Sequence, residues 1–268
     1  MSYFFTKLIY PHFAKSNWCS LGYKYISTAV ANFTLILFNS VLYILQKLSQ
    51  YRYNSDMNSE QEYNLGHASE SHDYLTRGLK NNMEALALKE NAKILDLGCG
   101  NGFVTQQVAN WGYEVMGVDP HPVAIEAAQK NYKGINFELK DSSDKNLKKA
   151  SFDFIYALEV IEHVYDPFRF LSDCHNLLRP GGMLLLSTPF HGYWKNLALA
   201  VTGKMDAHFT VLINNGHIKF FSIPTIEKIL VHESFSIKKI DRLGRIPFLA
   251  KSMMVLAQKE SLAPSQNS

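Results

Sequence analysis

The stretch Ala92-Lys-Ile94-Leu95-Asp96-Leu97-Gly98-Cys99-Gly100-Asn101-Gly102 decides the fold. Ile94, Leu95 and Leu97 make a short apolar strand that stops at Gly98. Glycine is needed where a backbone turns sharply or must lie close to a ligand. Residues 102–111 suit a helix that starts directly after the glycines, and the first turn of a helix offers free amide groups. A second strand, Tyr113–Val118, closes on Asp119. An acid at the end of the second strand can accept hydrogen bonds from both hydroxyls of a ribose.

Outward from this unit, strands and helices alternate. A helix is expected over 74–88, before the first strand. Pro122–Asn131 is a helix with proline in its first turn. Ile135–Leu139 and Phe152–Leu158 read as the third and fourth strands. A helix over 167–178 stops before the breaker Arg179-Pro-Gly-Gly, and Met183–Ser187 is the fifth strand. Pro224–His232 is helical, and Phe235–Ile240 and Ser252–Gln258 supply the last two strands. Such alternation implies an α/β fold with a mostly parallel sheet covered on both faces. Ligands of such sheets bind outside the carboxyl ends of the strands. Residues 56–259 form this domain, and 260–268 are a polar tail expected to be disordered.

The chain has 268 residues, a net charge of +3 and 47% hydrophobic residues, enough for a real core and without a nucleic-acid signature. Cys19, Cys99 and Cys174 are odd in number and far apart, so neither a zinc site nor a disulfide framework is suggested.

Residues 1–55 differ from the rest. They carry Lys7, Lys15, Lys24, Lys47 and Arg52 and no acid, and Tyr25–Gln46 has no charge at all. That stretch is long enough to span a bilayer, although Asn32, Thr34, Asn39 and Ser40 interrupt it. Flanking Tyr and Trp residues favour a membrane interface. A buried helix, a targeting segment and translated sequence upstream of a start at Met57 are the alternatives. The expected location is cytoplasmic, with membrane association through residues 1–55 left open.

A nicotinamide enzyme would show G-x-G-x-x-G, but here the third glycine comes one residue early and Phe103 takes its place. The spacing D-x-G-x-G-x-G instead resembles motif I of class I S-adenosylmethionine-dependent methyltransferases. Pro180-Gly181-Gly182 is similar to the turn that precedes the fifth strand in that family. The resemblance runs from about Tyr74 to Gln258. It implies a Rossmann-like, seven-stranded sheet with one antiparallel strand and S-adenosylmethionine as cofactor. It also implies cofactor contacts from Asp96, Gly98, Gly100, Gly102, Asp119 and Leu158. Asp141, after the third strand, would meet the adenine amino group or else be a solvated loop acid. Arg77, on the first helix, would contact the cofactor.

After the fourth strand comes Leu158-Glu159-Val-Ile-Glu162-His163-Val-Tyr-Asp166-Pro167. This is similar to the E-x-x-E-H-V-x-D-P segment of the ubiquinone-biosynthesis O-methyltransferases. Glu159 and Glu162, three apart, would point the same way on a helical turn. With His163 they could ligate a divalent ion, and the resemblance implies Mg²⁺ near the acceptor. The alternative is structural, with the acids and His163 shaping the strand–helix junction. His163 as a general base is a third reading.

The stretch from Thr188 to Ser222 is longer than a crossover needs. Trp194, Leu197, Leu199 and Val201 supply an apolar surface, and His217 and Lys219 resemble the family's H-x-x-K-K-F element with altered spacing. Related enzymes place an acceptor-covering insertion here; packing of a helix and of a loop histidine is the plainer reading. The expected activity is O-methylation of a small hydrophobic, quinone- or phenol-like acceptor, with Glu159, His163 and His217 as catalytic candidates. A glycan or other small-molecule acceptor, or an inactive membrane-bound module, are the alternatives. No nucleic-acid partner is expected.

Overall fold

The computed structural model describes residues 70–89, 91–209 and 216–260, with isolated helical positions at 39–41, 43 and 47. The chain divides into two units, 1–58 and 59–268, and the fold below is that of the second. The stretch 25–46 falls almost wholly outside the described residues, as does the tail from 261. Among the described residues, no helix is long and apolar enough to cross a membrane.

The elements follow the expected alternation. In order they are α1 (Glu70–Leu86), β1 (Ile94–Leu97), α2 (Phe103–Asn110), β2 (Val115–Asp119), α3 (Pro122–Asn131), β3 (Asn136–Leu139) and β4 (Phe152–Leu158). A 3₁₀ turn (Ile161–His163), α4 (Pro167–Leu177) and β5 (Leu178–Pro189) come next, then α5 (Tyr193–Val201) and α6 (Met205–Phe209). Last are α7 (Ile223–His232), β6 (Phe235–Leu243), a 3₁₀ turn (Pro247–Leu249) and β7 (Ser252–Lys259). The seven strands form one sheet in the order β3-β2-β1-β4-β5-β7-β6. Strands β1 to β5 pair in parallel, whereas β7 runs antiparallel to both β5 and β6.

Strand alternation splits the core. Phe154 and Tyr156 of β4 pack with Leu75, Leu79 and Met83 of α1 on one face. Ile155 and Ala157 pack with Phe170 and Leu171 of α4 and Ile226 and Leu230 of α7 on the other. Leu75, Leu79 and Met83 recur every fourth residue, which puts one stripe of α1 against the sheet. Asp166 caps α4 by accepting from the Arg169 amide at 3.1 Å, with Pro167 at the first helical position.

The first helix starts four residues earlier than expected, at Glu70, and β6 runs three further, to Leu243, but the largest boundary difference is at β5. The strand β5 begins at Leu178, before the Pro-Gly-Gly breaker. Phe152 lies opposite Leu178 while Phe154 lies opposite Met183, so residues 179–182 loop out as a bulge inside the pairing. Gly181, at φ +75°, makes that excursion possible. The last strand ends at Lys259, and the Glu260 amide still donates to Ser234 O at 3.1 Å.

Candidate active site at the carboxyl edge

Two sets of residues meet at the carboxyl ends of β1, β2, β4 and β5. The first is the glycine loop. Gly98, Gly100 and Gly102 all have positive φ, at +85°, +53° and +80°. Their surroundings differ. A Cβ on Gly98 would lie 2.5 Å from Val160 Cγ2, and one on Gly102 would lie 2.7 Å from Phe137 Cζ and 2.9 Å from Ala128 Cβ. Both glycines therefore serve packing between elements. A Cβ on Gly100 would meet nothing within 4 Å. Gly100 is thus the residue of the loop whose α-carbon faces open space at the ligand-binding edge.

Asp119 ties this loop to the end of β2. Its Oδ2 accepts from the Gly100 amide at 2.9 Å, and its Oδ1 accepts from the His121 amide at 2.9 Å, with His121 Nδ1 3.0 Å away. Oδ2, with one partner, keeps a second lone pair that can accept from a ribose. Asp96 is placed otherwise. It is buried in mid-β1, where Thr105 Oγ1 donates to its Oδ2 at 2.6 Å, and burial pushes its carboxyl up to about 7. Asp96 thus pins α2 to β1 from inside the core. Asp141 accepts from both the amide and the hydroxyl of Ser143 at 2.7 Å, closing its own turn. Leu158 ends β4 half-buried, and Arg77 is exposed on α1.

The second set is the Glu159–His163 segment. The two acids do not share the side of a helical turn, because the 3₁₀ turn starts only at Ile161. Glu159 sits before it in the left-handed region, at φ +54°, a conformation that costs a non-glycine residue about 1 kcal/mol or more. Its backbone is held there by Ser187, whose carbonyl and hydroxyl accept from the Glu159 amide at 3.1 and 3.0 Å. The Ser187 hydroxyl lies 2.8 Å from Glu159 Oε1. Burial raises the Glu159 carboxyl to about 7.

Glu162 turns the other way. It is fully buried, and among the described residues neither of its oxygens has a partner in good hydrogen-bond geometry, although the Thr188 hydroxyl is close enough to favour its charged form. Burial and then the nearby Glu159 charge hold its carboxyl well above the usual carboxylate range. His217 Nε2 is 4.0 Å from Glu162 Oε1, and the His163 and His217 rings meet edge-on at 4.8 Å. The Glu162 carbonyl accepts from the amides of Ile218 and Lys219 at 2.9 and 3.0 Å, which docks the segment after residue 215 onto the 3₁₀ turn. Burial and the His163 charge push the His217 imidazole down to about 4, so it is neutral near pH 7. Ligand atoms of Glu162, His163 and His217 lie within 4.8 Å of one another. Of the residues expected as a ligand triad, Glu162 and His163 lie in this group with His217, while Glu159 stands outside it, held by Ser187.

Four residues of this edge carried no sequence signal of their own. Ser187 is a lone hydroxyl at the end of an apolar strand. Buried His191 stacks on Phe209 at 6.1 Å and meets Phe220 edge-on at 5.1 Å. Tyr74 shares a 3.0 Å hydrogen bond with Ser252. Lys195, on α5, donates to Lys251 O at 3.2 Å, and burial and Arg245 lower its amine to about 8. The apolar insertion residues Trp194, Leu197 and Val201 are exposed and Leu199 half-buried, so α5 lays no fully buried side chain on the sheet.

Residues 71–237 match the family described as methyltransferase domain. The ubiquinone biosynthesis O-methyltransferase of Bradyrhizobium sp. (strain ORS 278) is 33% identical over 135 residues, 49% of this chain and 53% of that protein. The enzyme of the same name from Cereibacter sphaeroides is 35% identical over 118 residues, 42% of this chain and 47% of that one. The chain thus spans about half the length of the curated relatives it matches. A SAM-dependent methyltransferase from Methanosarcina mazei overlays with a TM-score of 0.52 at 25% identity, covering 66% of this chain and 97% of that one. With its family match covering most of the described residues and its glycine loop and strand-end acid in place, the chain belongs to the methyltransferase domain family, in the seven-stranded form of its S-adenosylmethionine-dependent members.

Proposed function

We propose that the chain transfers a methyl group from S-adenosylmethionine to a hydroxyl oxygen of a small, hydrophobic, phenol-like acceptor. The observation that carries this reading is the Gly100–Asp119 contact, a strand-end carboxylate latched to an open-faced glycine at the same strand ends as the buried Glu162. Gly98, Gly100, Asp119, Leu158 and, from the rim, Arg77 and Asp141 are the residues assigned to the cofactor. Asp96 and Gly102 support the loop from beneath. When bound, the cofactor supplies a methyl group already made electrophilic by its sulfonium. The protein then has to align the acceptor, exclude water and take up one proton.

Glu159 is the proton acceptor in this reading. Its carboxyl, near 7, matches the operating range of a general base. Its strained backbone and the Ser187 hydroxyl fix its direction. His163 and His217 flank the same edge. The orphaned Glu162 carboxylate beside two imidazoles favours a cation, since a buried unpaired charge costs several kcal/mol. One carboxylate and two imidazoles suit a borderline ion such as Mn²⁺ or Zn²⁺ better than Mg²⁺, which prefers oxygen ligands. Such an ion would hold the acceptor oxygen and ease its deprotonation.

The test is a mass-shift assay with purified full-length protein, S-adenosylmethionine and a panel of catechols, with and without chelator. Methylated ether product, diminished by chelator and by Glu162→Gln, is expected. A protein that binds S-adenosylhomocysteine but yields no methyl ether from any phenol contradicts O-methylation. Titrating apo protein with Mn²⁺ by calorimetry reads the ion without turnover; heat lost in Glu162→Gln is expected, and no heat in the wild type excludes the site. For the N-terminal segment, membrane association predicts that full-length protein pellets with membranes and that deleting 1–55 releases it. Full-length protein found in the supernatant contradicts that association.

A further inference from the structure

Helix α1 carries two stripes. Leu75, Leu79 and Met83 form the apolar one, buried against the sheet. Tyr74, Gly78 and Asn82, again at every fourth position, form a second that looks onto β6 and β7. Asn82 Nδ2 donates to Asp241 Oδ2 at 3.4 Å and to Met254 Sδ at 3.7 Å. A Cβ on Gly78 would lie 2.9 Å from Leu243 Cδ1 and 3.1 Å from Met254 Sδ, so its missing side chain lets the helix lie close on both strands. Leu243 pairs with Ser252 across β6 and β7. With the helix this close, the Tyr74 hydroxyl reaches to 3.0 Å from Ser252 Oγ at the start of β7.

Ser252 is buried and has a second neighbour. Its hydroxyl is close enough to Glu159 to favour the charged form of that carboxyl, as the Ser187 hydroxyl does. A serine hydroxyl has one proton to give. With that proton on the Glu159 carboxylate, the bond to Tyr74 is one that Ser252 accepts and the phenol donates. The order is therefore Tyr74 to Ser252 to Glu159, a chain in which each bond polarises the next. The charged groups facing the chain are Glu162 on the turn after β4, Lys195 on α5, and Lys251 and Arg245 near Tyr74. A phenylalanine in place of Tyr74 leaves all of these unchanged and removes only the donor.

We infer that Tyr74 is a positioning residue for the proton acceptor: acting through the Ser252 hydroxyl, it steadies the Glu159 carboxylate from helix α1. This rests on Glu159 serving as that acceptor, as proposed above.

The test is carbon-13 NMR of full-length, ligand-free protein labelled at its glutamate carboxyls, with the Glu159 resonance assigned by its loss in Glu159→Gln. Ser252→Ala should raise the Glu159 ionisation midpoint by about one pH unit, a tenfold change, the weight of one charge-assisted hydrogen bond. Tyr74→Phe should change the ionisation constant about twofold in the same direction, the smaller effect of a bond one step removed. The double variant should match Ser252→Ala alone, because Tyr74 acts only through that hydroxyl. A Tyr74→Phe protein with a lower Tm but an unmoved midpoint makes the contact a structural tie and overturns the inference. So does an unmoved midpoint in Ser252→Ala, or a further shift when Tyr74→Phe is added to it. Turnover is scored separately: midpoints that move as expected without methyl ether product contradict O-methylation and leave the Tyr74–Ser252–Glu159 chain standing.

Discussion

The two halves of the carboxyl edge are held by opposite means. On the β1–β2 side every group that shapes the loop is satisfied. Asp119 binds two amides, Asp96 binds Thr105, and Gly98 and Gly102 are seated against Val160 and Phe137. On the β4–β5 side Glu159 is strained, Glu162 is buried with neither oxygen in hydrogen-bond geometry, and ligand atoms of His163 and His217 lie within 4.8 Å of it. On the proposed reading the first half is a receptor ready for its cofactor, and the second stores unfavourable electrostatics that a substrate proton and a cation would relieve. In that reading strain and buried acids mark the chemistry, and satisfied bonds mark the cofactor.

The comparison breaks most visibly at Asp119. Asp119→Ala removes both amide bonds and the ribose acceptor, and kcat/KM should fall about 100-fold or more, each charged hydrogen bond being worth about 1.5–3 kcal/mol. Most of the loss should appear as weaker S-adenosylhomocysteine binding by calorimetry; unchanged binding would contradict the role of this half. Next comes Glu162→Gln on the other half. Activity should fall about 10- to 100-fold. The ligand-free fold, read by thermal melting above pH 7, should hold or gain stability, because an uncharged amide replaces a buried carboxylate. A variant that melts far lower would show Glu162 to be a structural capping residue instead.

The glycines sharpen the contrast. Gly102→Ala should cost about 2 kcal/mol of stability, from positive φ and from contact with Phe137 and Ala128. Gly100→Ala should cost about 1 kcal/mol of stability. It should instead weaken cofactor binding, because its new methyl enters open space at the ligand edge. Denaturant melts and calorimetry separate the two; the reverse pattern would move the ligand face to Gly102.

The smallest effect is in pH. Asp96 and Glu159 stand near 7, and Glu162 too is raised well above the usual carboxylate range, all chiefly by burial. Through these acids the folded state holds more protons than the unfolded one above about pH 4.5, a contribution to stability that is lost as pH rises. His191 and His217, lowered to about 4 by burial, hold fewer protons when folded and act in the opposite sense. The Glu162→Gln protein isolates one acid: its Tm relative to wild type should rise as pH goes from 5 to 7.5 in ligand-free protein. A Tm difference that falls over that range would mean that Glu162 is ionised and paired. The same Glu159 carboxyl predicts that methyl transfer rises through pH 7 and that Glu159→Gln removes that limb.

Much of this was legible in the sequence, because local pattern decided it. The alternation of apolar runs gave the strands, and D-x-G-x-G-x-G with Asp119 marked the cofactor half from residues close in the chain. The acceptor half depends on contacts across the sheet. Glu159 and Glu162 looked like neighbours on one helical turn, but Ser187, on the next strand, pulls Glu159 into a left-handed conformation and parts them. His217 joins Glu162 from more than fifty residues away, and Lys195 meets the backbone of Lys251, also more than fifty residues away. No spacing rule encodes such meetings. The bulge in β5 was hidden for the opposite reason: Pro-Gly-Gly reads as a break, and the sheet pairs on either side of it.

The most direct test of the cofactor assignment is the thermal melt of full-length wild-type protein against rising S-adenosylhomocysteine. The account predicts a Tm that climbs steadily with ligand concentration, as binding to the folded state requires. A Tm that stays put at millimolar ligand would contradict it.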